Sequence, residues 1–142
     1  MGTESVGVMK RIIKFRYIFK HISTGNIEIK KYSLNQLEET LTKFLSPVFD
    51  FREYELLSRN QYTGLKDRND AEIYEGDIVL CDQDSRRVVC YDIYQTKYKT
   101  VPKSTYYANA GNGGWTGFDL RWHCEVIGNV YEHPNLLEGD SK

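Results

Sequence analysis

Residues 61–79 read QYTGLKDRNDAEIYEGDIV, a stretch in which short apolar segments alternate with polar turns. Each apolar segment has the length of a short strand, and the polar run of residues 66–70 has the composition of a turn. Gly64 and Gly76 permit the tight backbone geometry that joins strands closely. The stretch therefore predicts a β arch, and we expect the fold to be built around it.

The sequence before this arch predicts a β-hairpin followed by a helix. In residues 13–19 the odd positions are apolar or aromatic and two cations fall on even positions, which is the period of two of a half-buried strand. Residues 23–26 have the composition of a turn, and a second alternating strand follows them. Ser33 and Gln36 then form a capping-box pattern ahead of leucines at helical spacing, and Pro47 favours the end of that helix.

The sequence after the arch predicts a second hairpin, a long loop and a closing strand. Residues 88–94 have the pattern of a returning strand after the polar turn of residues 82–87, and this turn would place Cys81 opposite Cys90. Residues 97–117 are largely polar and end in a glycine-rich run, so we expect a long loop there. A closing strand follows near the C-terminus.

The composition is that of a globular chain, and we expect the protein to stay in the cytoplasm. Of its 142 residues, 40% are hydrophobic and 27% are charged, which gives enough apolar side chains for a core. No apolar run reaches the roughly 20 residues of a membrane-spanning helix, so we expect no membrane contact. The sequence starts without the apolar stretch of a secretory signal, and its cysteines are odd in number. We therefore expect Cys81, Cys90 and Cys124 to be reduced thiols.

Two long motifs lie in the C-terminal part of the sequence. The first combines residues 61–69 with 72–79, and the second combines residues 125–132 with a following Pro134 and a Leu-Leu pair. Both motifs resemble those of the YopX family of phage and prophage proteins. Residues 70–71 depart from that family, in which a glycine followed by a polar residue is usual. The resemblance implies a phage or prophage gene, a cytoplasmic protein and a β-barrel-like core, and it implies no established activity.

These patterns together predict an α+β, mainly β fold. We expect an N-terminal β-hairpin and helix joined to a small, partly open SH3-like or YopX-like β-barrel. Residues 1–59 would form the N-terminal part. Residues 60–142 would form the barrel core, from which the long loop of residues 97–117 would project.

No arrangement of side chains predicts a catalytic, cofactor or metal site. The cysteines and His123 could supply zinc ligands, but the sequence contains no C-x-x-C knuckle. If residues 123 and 124 lie in a strand, their side chains point to opposite faces, which would make joint coordination awkward. No histidine lies in a catalytic signature, and the sequence gives no pair of carboxylates a defined separation. We therefore expect a protein that is not an enzyme and needs no metal or cofactor.

One candidate binding surface is the cationic face of the first predicted strand. Arg16 and Lys20 would lie on the face opposite the aromatic residues 15, 17 and 19, which would then belong to the core. Exposed cations on a small β domain can contact the phosphates of nucleic acid.

The other candidate is Trp115, at the centre of the glycine-rich residues 111–117. An exposed aromatic side chain on a loop is typical of a protein contact, whereas the alternative is a tryptophan packed on the barrel. We expect a non-enzymatic protein-interaction module that binds itself, or a phage or host protein, through Trp115. The alternative is a nucleic-acid-binding accessory protein of a phage that uses Arg16 and Lys20.

Overall fold

The computed structural model describes residues 11–42, 52–81, 85–108, 117–121 and 123–138. Within these ranges the strands are β1 Lys14–His21, β2 Ile27–Ser33, β3 Tyr54–Lys66, β4 Glu72–Tyr74, β5 Asp77–Cys81, β6 Ser85–Asp92, β7 Lys97–Val101, β8 Phe118–Asp119 and β9 Glu125–Asn129. The helices are α1 Leu34–Thr42, α2 Lys103–Ala108 and a short 3₁₀ helix, Pro134–Leu137. None of the helices in this part of the chain has the length and apolarity that crossing a bilayer requires. The fold is mainly β, as the sequence predicts.

Strands β1 to β4 form a first antiparallel sheet in the order β2-β1-β3-β4. The predicted hairpin is confirmed, since β1 pairs with β2 along its length. The capping box is confirmed as well. The Ser33 N–H donates to Gln36 Oε1 at 2.8 Å, and the Gln36 N–H donates to Ser33 Oγ at 3.1 Å. The predicted end of this helix, near Pro47, lies outside the described residues.

Strand β3 connects the N-terminal and C-terminal parts of the chain. Its first residues pair with β1 and its last residues pair with β4, where Lys66 lies opposite Glu72. One strand therefore crosses the predicted division between residues 1–59 and 60–142, and this division stays a prediction.

Strands β5 to β9 form a second antiparallel sheet in the order β8-β7-β6-β5-β9. Cys81 lies opposite Ser85, because β6 begins earlier than the polar composition of residues 82–87 predicts. Cys81 forms a disulfide with Cys124 and does not face Cys90. The prediction of a Cys81–Cys90 pair is therefore wrong, and so is the prediction that all three thiols are reduced.

The loop predicted for residues 97–117 is wrong in its first part, which forms β7 and α2. Lys99 on β7 is only 2% exposed, and its Nζ pairs with the buried Asp92 carboxylate at 2.8 Å. Lysine is seldom buried unless it is paired, so a strand that contains a buried lysine has the polar composition of a loop. This is why the sequence predicted a loop where β7 lies. Residues 109–116 are outside the part that the structure describes.

The core consists of two apolar clusters on opposite faces of the second sheet. Val79 and Val89 point to one face and pack with Ile73 of β4, while Ile78 points to the other and packs with Leu137 of the 3₁₀ helix. The strands in the described ranges form two open sheets and no closed ring. The partly open barrel therefore stays a prediction.

Candidate functional site

The first predicted site residue, Arg16, is buried between the two sheets with only 5% of its surface exposed. Its Nη1 donates to Asp77 Oδ1 at 2.6 Å. Its Nη2 donates to the Glu75 carbonyl at 3.0 Å, and its Nε donates to Asn60 Oδ1 at 3.1 Å. The prediction that Arg16 lies on an exposed cationic face is therefore wrong, because a buried carboxylate from β5 pairs with it.

The alternation of β1 holds up to Ile18, where the pairing with β3 shifts its register, and Phe19 beyond this shift is buried, as predicted. For the residues before Phe19, the inner and outer faces were predicted wrongly. Ile18, on the same face as Arg16, is fully buried, while Phe15 and Tyr17 on the aromatic face are only half-buried. Lys20 is exposed, as predicted. Of the two cations proposed for nucleic acid, the structure leaves only Lys20 on the surface.

The second predicted contact, Trp115, lies outside the described residues. The structure describes the chain again from Gly117, whose φ is 101°. A Cβ at this position would lie 2.6 Å from Val101 Cγ1 and 2.7 Å from the Thr100 carbonyl oxygen. Only glycine fits here. It lets the chain approach β7 closely, so that the next residue, Phe118, can pair with β7.

Phe118 borders a pocket of about 310 Å³ on the face of the second sheet that also carries Val79 and Val89. Residues of β5, β6 and β7 form one wall, and the segment made of residues 118–121 and 123–124 forms the other. The side chains used below are Cys81, Ser85 and Arg87 from the strands, and Phe118, Asp119, Arg121, His123 and Cys124 from the segment. Residues far apart in the sequence therefore meet in one concave surface.

Arg87 and Phe118 form a stacked pair at this pocket. The Arg87 guanidinium carbon lies 4.3 Å from the centroid of the Phe118 ring, and Phe118 is 62% exposed. Phe118 lies opposite Thr100 of β7, so the strand pairing fixes where the ring projects. Such a cation–π pair contributes about 0.5–1 kcal/mol at an exposed site. The pair presents an apolar ring and a positioned guanidinium to whatever binds the pocket.

Further polar side chains line the pocket beside the Arg87–Phe118 pair. Ser85, His123 and Asp119 are three of them, and these are the residue types of a hydrolytic triad. However, Lys97 Nζ pairs with Asp119 Oδ1 at 2.7 Å, and this hydrogen bond lowers the pKa of the Asp119 carboxyl. Lys97 thus engages the carboxylate that would be needed to orient His123.

His123 and Cys124 both line the pocket, because residue 123 lies in a turn ahead of β9. The argument that a strand would separate these two side chains therefore does not apply. The disulfide occupies the sulfurs of Cys81 and Cys124. Within the described ranges, no group of three histidine, cysteine or acidic side chains could hold a metal ion.

A second pocket, of about 320 Å³, lies where the two sheets meet. Its charged side chains pair with one another or with neighbours: Arg16 with Asp77, and Glu72 with Lys14. The Lys31 Nζ lies 5.2 Å from the ring centroid of Tyr74, whose hydroxyl donates to Glu72. Because the charged groups of this pocket are paired within the protein, we assign the pocket a structural role at the junction of the two sheets.

The carboxylate of Asp67 ties the two long sequence motifs together. Its Oδ1 accepts the N–H groups of Asn69 at 2.8 Å and Ala71 at 2.9 Å, and its Oδ2 accepts the N–H of Val126 at 2.8 Å. Burial alone would raise the pKa of the Asp67 carboxyl, but these donors outweigh burial and lower it. The first motif is thus a structural turn that is hydrogen-bonded to β9.

Asp70 occupies the position where a glycine is usual in the resembling family. Its φ is 69°, in the left-handed region that glycine adopts without strain. Aspartate tolerates this region better than most residues, so the turn keeps its shape. Asp70 therefore adopts a backbone conformation that glycine would also adopt.

The pocket residues Arg87 and Phe118 were missed in the sequence. Arg87 falls in the segment that was interpreted as a polar turn, and Phe118 follows the predicted loop directly. One signal was present: Arg87 alternates with Val89, so a strand there would place both on one face. Nothing local in the sequence indicates that Phe118 lies beside them.

Comparisons with known proteins identify the family. The family model described as YopX protein matches residues 14–138, from β1 to the end of the 3₁₀ helix. The chain is also similar to the crystal structure of protein EF1440 from Enterococcus faecalis, with 22% identity and a TM-score of 0.42, over 91% of this chain and 100% of that one. No curated protein matches the sequence. Because the family model covers most of the chain, the hairpin and helix included, the chain belongs to the YopX family.

Proposed function

We propose that the protein is a non-enzymatic protein-interaction module that holds a short segment of a partner protein in the pocket beside Phe118. The observation that carries the proposal is the stacked Arg87–Phe118 pair at the border of the pocket. A phenylalanine that is 62% exposed, yet positioned by strand pairing and by a guanidinium, has little freedom left to lose on binding.

The residue types of the pocket support a protein partner. Arginine and aromatic side chains are enriched in protein interfaces, and a few of them carry most of the binding energy. Arg121 adds a second, exposed guanidinium beside Arg87. The partner segment that fits this chemistry has an apolar side chain for Phe118 and a carboxylate for the arginines.

The family resemblance supplies the rest of the proposal. A gene of phage or prophage origin makes a phage or host protein, or a second copy of this chain, the expected partner. The two sheets would act as the partly open barrel that displays the pocket. Trp115, two residues before Gly117 in the sequence, stays a proposed additional contact.

A peptide-display selection tests this function. The wild-type protein is the target of the selection, and the affinity of each enriched peptide is then measured for wild type and for the Phe118→Ala variant. Tyr107→Ala is the matched control, since Tyr107 is 56% exposed on α2 and does not line the pocket. We expect enriched peptides that contain acidic and apolar residues and bind wild type and Tyr107→Ala equally. Loss of an aromatic anchor costs about 2 kcal/mol, so Phe118→Ala should weaken binding about 30-fold. Enriched peptides that bind Phe118→Ala as tightly as wild type would rule out this pocket.

Nucleic acid is the competing class of partner, and a DNA-binding assay distinguishes it from a protein partner. Arginine and aromatic side chains can also hold a single strand, and such binding weakens steeply with salt. We expect a gel-shift titration of single-stranded DNA to give the same result for wild type and for Arg87→Ala. A salt-dependent complex that requires Arg87 or Lys20 would show that the partner class in this proposal is wrong.

A further inference from the structure

The Cys81–Cys124 disulfide forms part of the pocket wall. Its two Cα atoms lie 4.4 Å apart, and 43 residues separate the cysteines in the sequence. Cys81 is 9% exposed and Cys124 is 2% exposed, and both line the pocket. A small reagent that occupies the pocket therefore meets the disulfide, and Cys81 is the more exposed of its two residues.

The disulfide is the strongest link between β5 and the segment of residues 118–121 and 123–124. In the described ranges, the backbone hydrogen bonds that hold this segment are long. The Leu120 N–H donates to Tyr98 at 3.4 Å, and Cys124 accepts from the Arg68 N–H at 3.3 Å. Strand β8 adds only a two-residue pairing with β7. Hydrogen bonds at these distances are at the weak end of the range. The Lys97–Asp119 ion pair at 2.7 Å also holds the segment, but it leads to β7. The disulfide is therefore the bond that ties this wall to β5.

We propose that Cys81–Cys124 is a thiol–disulfide exchange site that reacts with low-molecular-weight thiols and thereby controls how well the pocket is formed. The effect on binding rests on the function proposed above, whereas the exchange reaction and the loosening of the wall do not. The oxidised form holds the segment that carries Phe118 and Arg121 against β5. The reduced form releases it, and the pocket loses the order that favours binding.

The reaction balances with two equivalents of a small thiol. A thiolate attacks the sulfur of Cys81, forms a mixed disulfide with it and displaces Cys124 as a thiolate, which takes up a proton. A second small thiol attacks the mixed disulfide, releases Cys81 as a thiol and leaves as an oxidised small disulfide. The protein gains two electrons and two protons, and two small thiols are oxidised to one disulfide.

Cys90 provides an internal control for this reaction. It is a free thiol, only 1% exposed, and burial raises its pKa to about 11. It neighbours Val89 on β6, so its side chain points to the face opposite the pocket. A reagent that enters the pocket cannot reach Cys90 unless the sheet unfolds.

The test uses the native protein in buffers with defined ratios of reduced to oxidised glutathione. Thiols are labelled with iodoacetamide and counted by mass spectrometry, and hydrogen exchange is followed over residues 117–124. We expect labels on Cys81 and Cys124 but not on Cys90, and exchange in the segment about tenfold faster after reduction. Exchange in the β5–β6 hairpin should stay unchanged. If glutathione reduces the disulfide only when the protein unfolds, the disulfide is not a thiol–disulfide exchange site. If hydrogen exchange in the segment is the same before and after reduction, the disulfide does not hold the pocket wall in place.

A second arm measures binding of the peptide that the display selection enriches. We expect about tenfold weaker binding after reduction, the same weak binding for a Cys81→Ser and Cys124→Ser double variant, and wild-type behaviour for Cys90→Ser. If the oxidised and reduced proteins bind the peptide with equal affinity, the disulfide does not control binding. A peptide that binds neither form contradicts the proposed function instead, and the labelling and exchange results still decide the chemistry of the disulfide.

Discussion

Replacing Arg16 with methionine tests the junction between the two sheets. The substitution keeps an unbranched, apolar stem and removes the guanidinium, so the Asp77 carboxylate, 1% exposed, loses its cation. A charge left unpaired in the interior costs about 3–5 kcal/mol. The carbonyl of Glu75 and the amide oxygen of Asn60 also lose a donor. We therefore expect a loss of folding free energy near the top of this range.

Thermal unfolding followed by circular dichroism measures this loss. For a chain of 142 residues with an unfolding entropy of about 2.1 cal/mol/K per residue, 3–5 kcal/mol lowers the Tm by about 10–17 °C. Lys20→Met is the matched control, because Lys20 is exposed on the same strand, and it should change stability by less than about 0.5 kcal/mol. Adding Asp77→Asn to Arg16→Met removes the unpaired charge and should recover part of the loss. Equal, small effects of Arg16→Met and Lys20→Met would refute the buried ion pair.

Three further substitutions test the signature turn and the pocket. Asp67→Asn should cost about 1–3 kcal/mol at neutral pH, since the amide cannot accept from both sides. The folded pKa of Asp67 lies below its unfolded value, so its contribution is complete above the unfolded pKa and lost as pH falls through the folded one. Urea titrations should therefore show the gap between wild type and variant narrowing in acid, and a constant gap would contradict the role of the charge. Asp70→Gly should raise stability by about 0.5–1 kcal/mol in the same assay, and a loss would argue against the left-handed backbone there. Phe118→Ala should cost no more than about 1 kcal/mol, whereas a loss of about 3 kcal/mol or more would make Phe118 a core residue.

Local signals in the sequence predicted the local structure correctly. The β1–β2 hairpin and the capping box of Ser33 and Gln36 depend on residues that are close in the sequence, and both features are confirmed. The side of β1 that faces inward was not predictable in this way. That choice depends on the pairing of Arg16 with Asp77, which are 61 residues apart in the sequence.

The long loop was mispredicted because polar composition was taken as exposure. Lys99 and Asp92 are both buried, and they form an ion pair within the β6–β7 hairpin. Asp92 Oδ1 also accepts the N–H groups of Tyr94 and Gln95, so its lone pairs are used inside the turn. Only the three-dimensional pairing reveals that these polar residues belong to the interior.

The cysteines and the pocket depend on contacts that the sequence does not display. The expectation of reduced thiols came from the absence of a secretory signal and not from geometry, while the fold brings Cys81 within 4.4 Å of Cys124. The pocket likewise joins Arg87 of β6 to Phe118 of β8 across the intervening strand β7. The family motifs could not point to it, because Asp67 in the first of them serves the turn that supports β9.

The most direct test of the central claim is the location of the bound peptide on the protein. Backbone amide shifts of the isotope-labelled, oxidised protein are recorded by NMR during a titration with the peptide enriched in the display selection. We expect the largest changes at Arg87 and at residues 117–121, and small changes along β2 and α2, whose residues do not line the pocket. Changes that centre on β2 or α2 while the residues around Phe118 stay unperturbed would contradict the account.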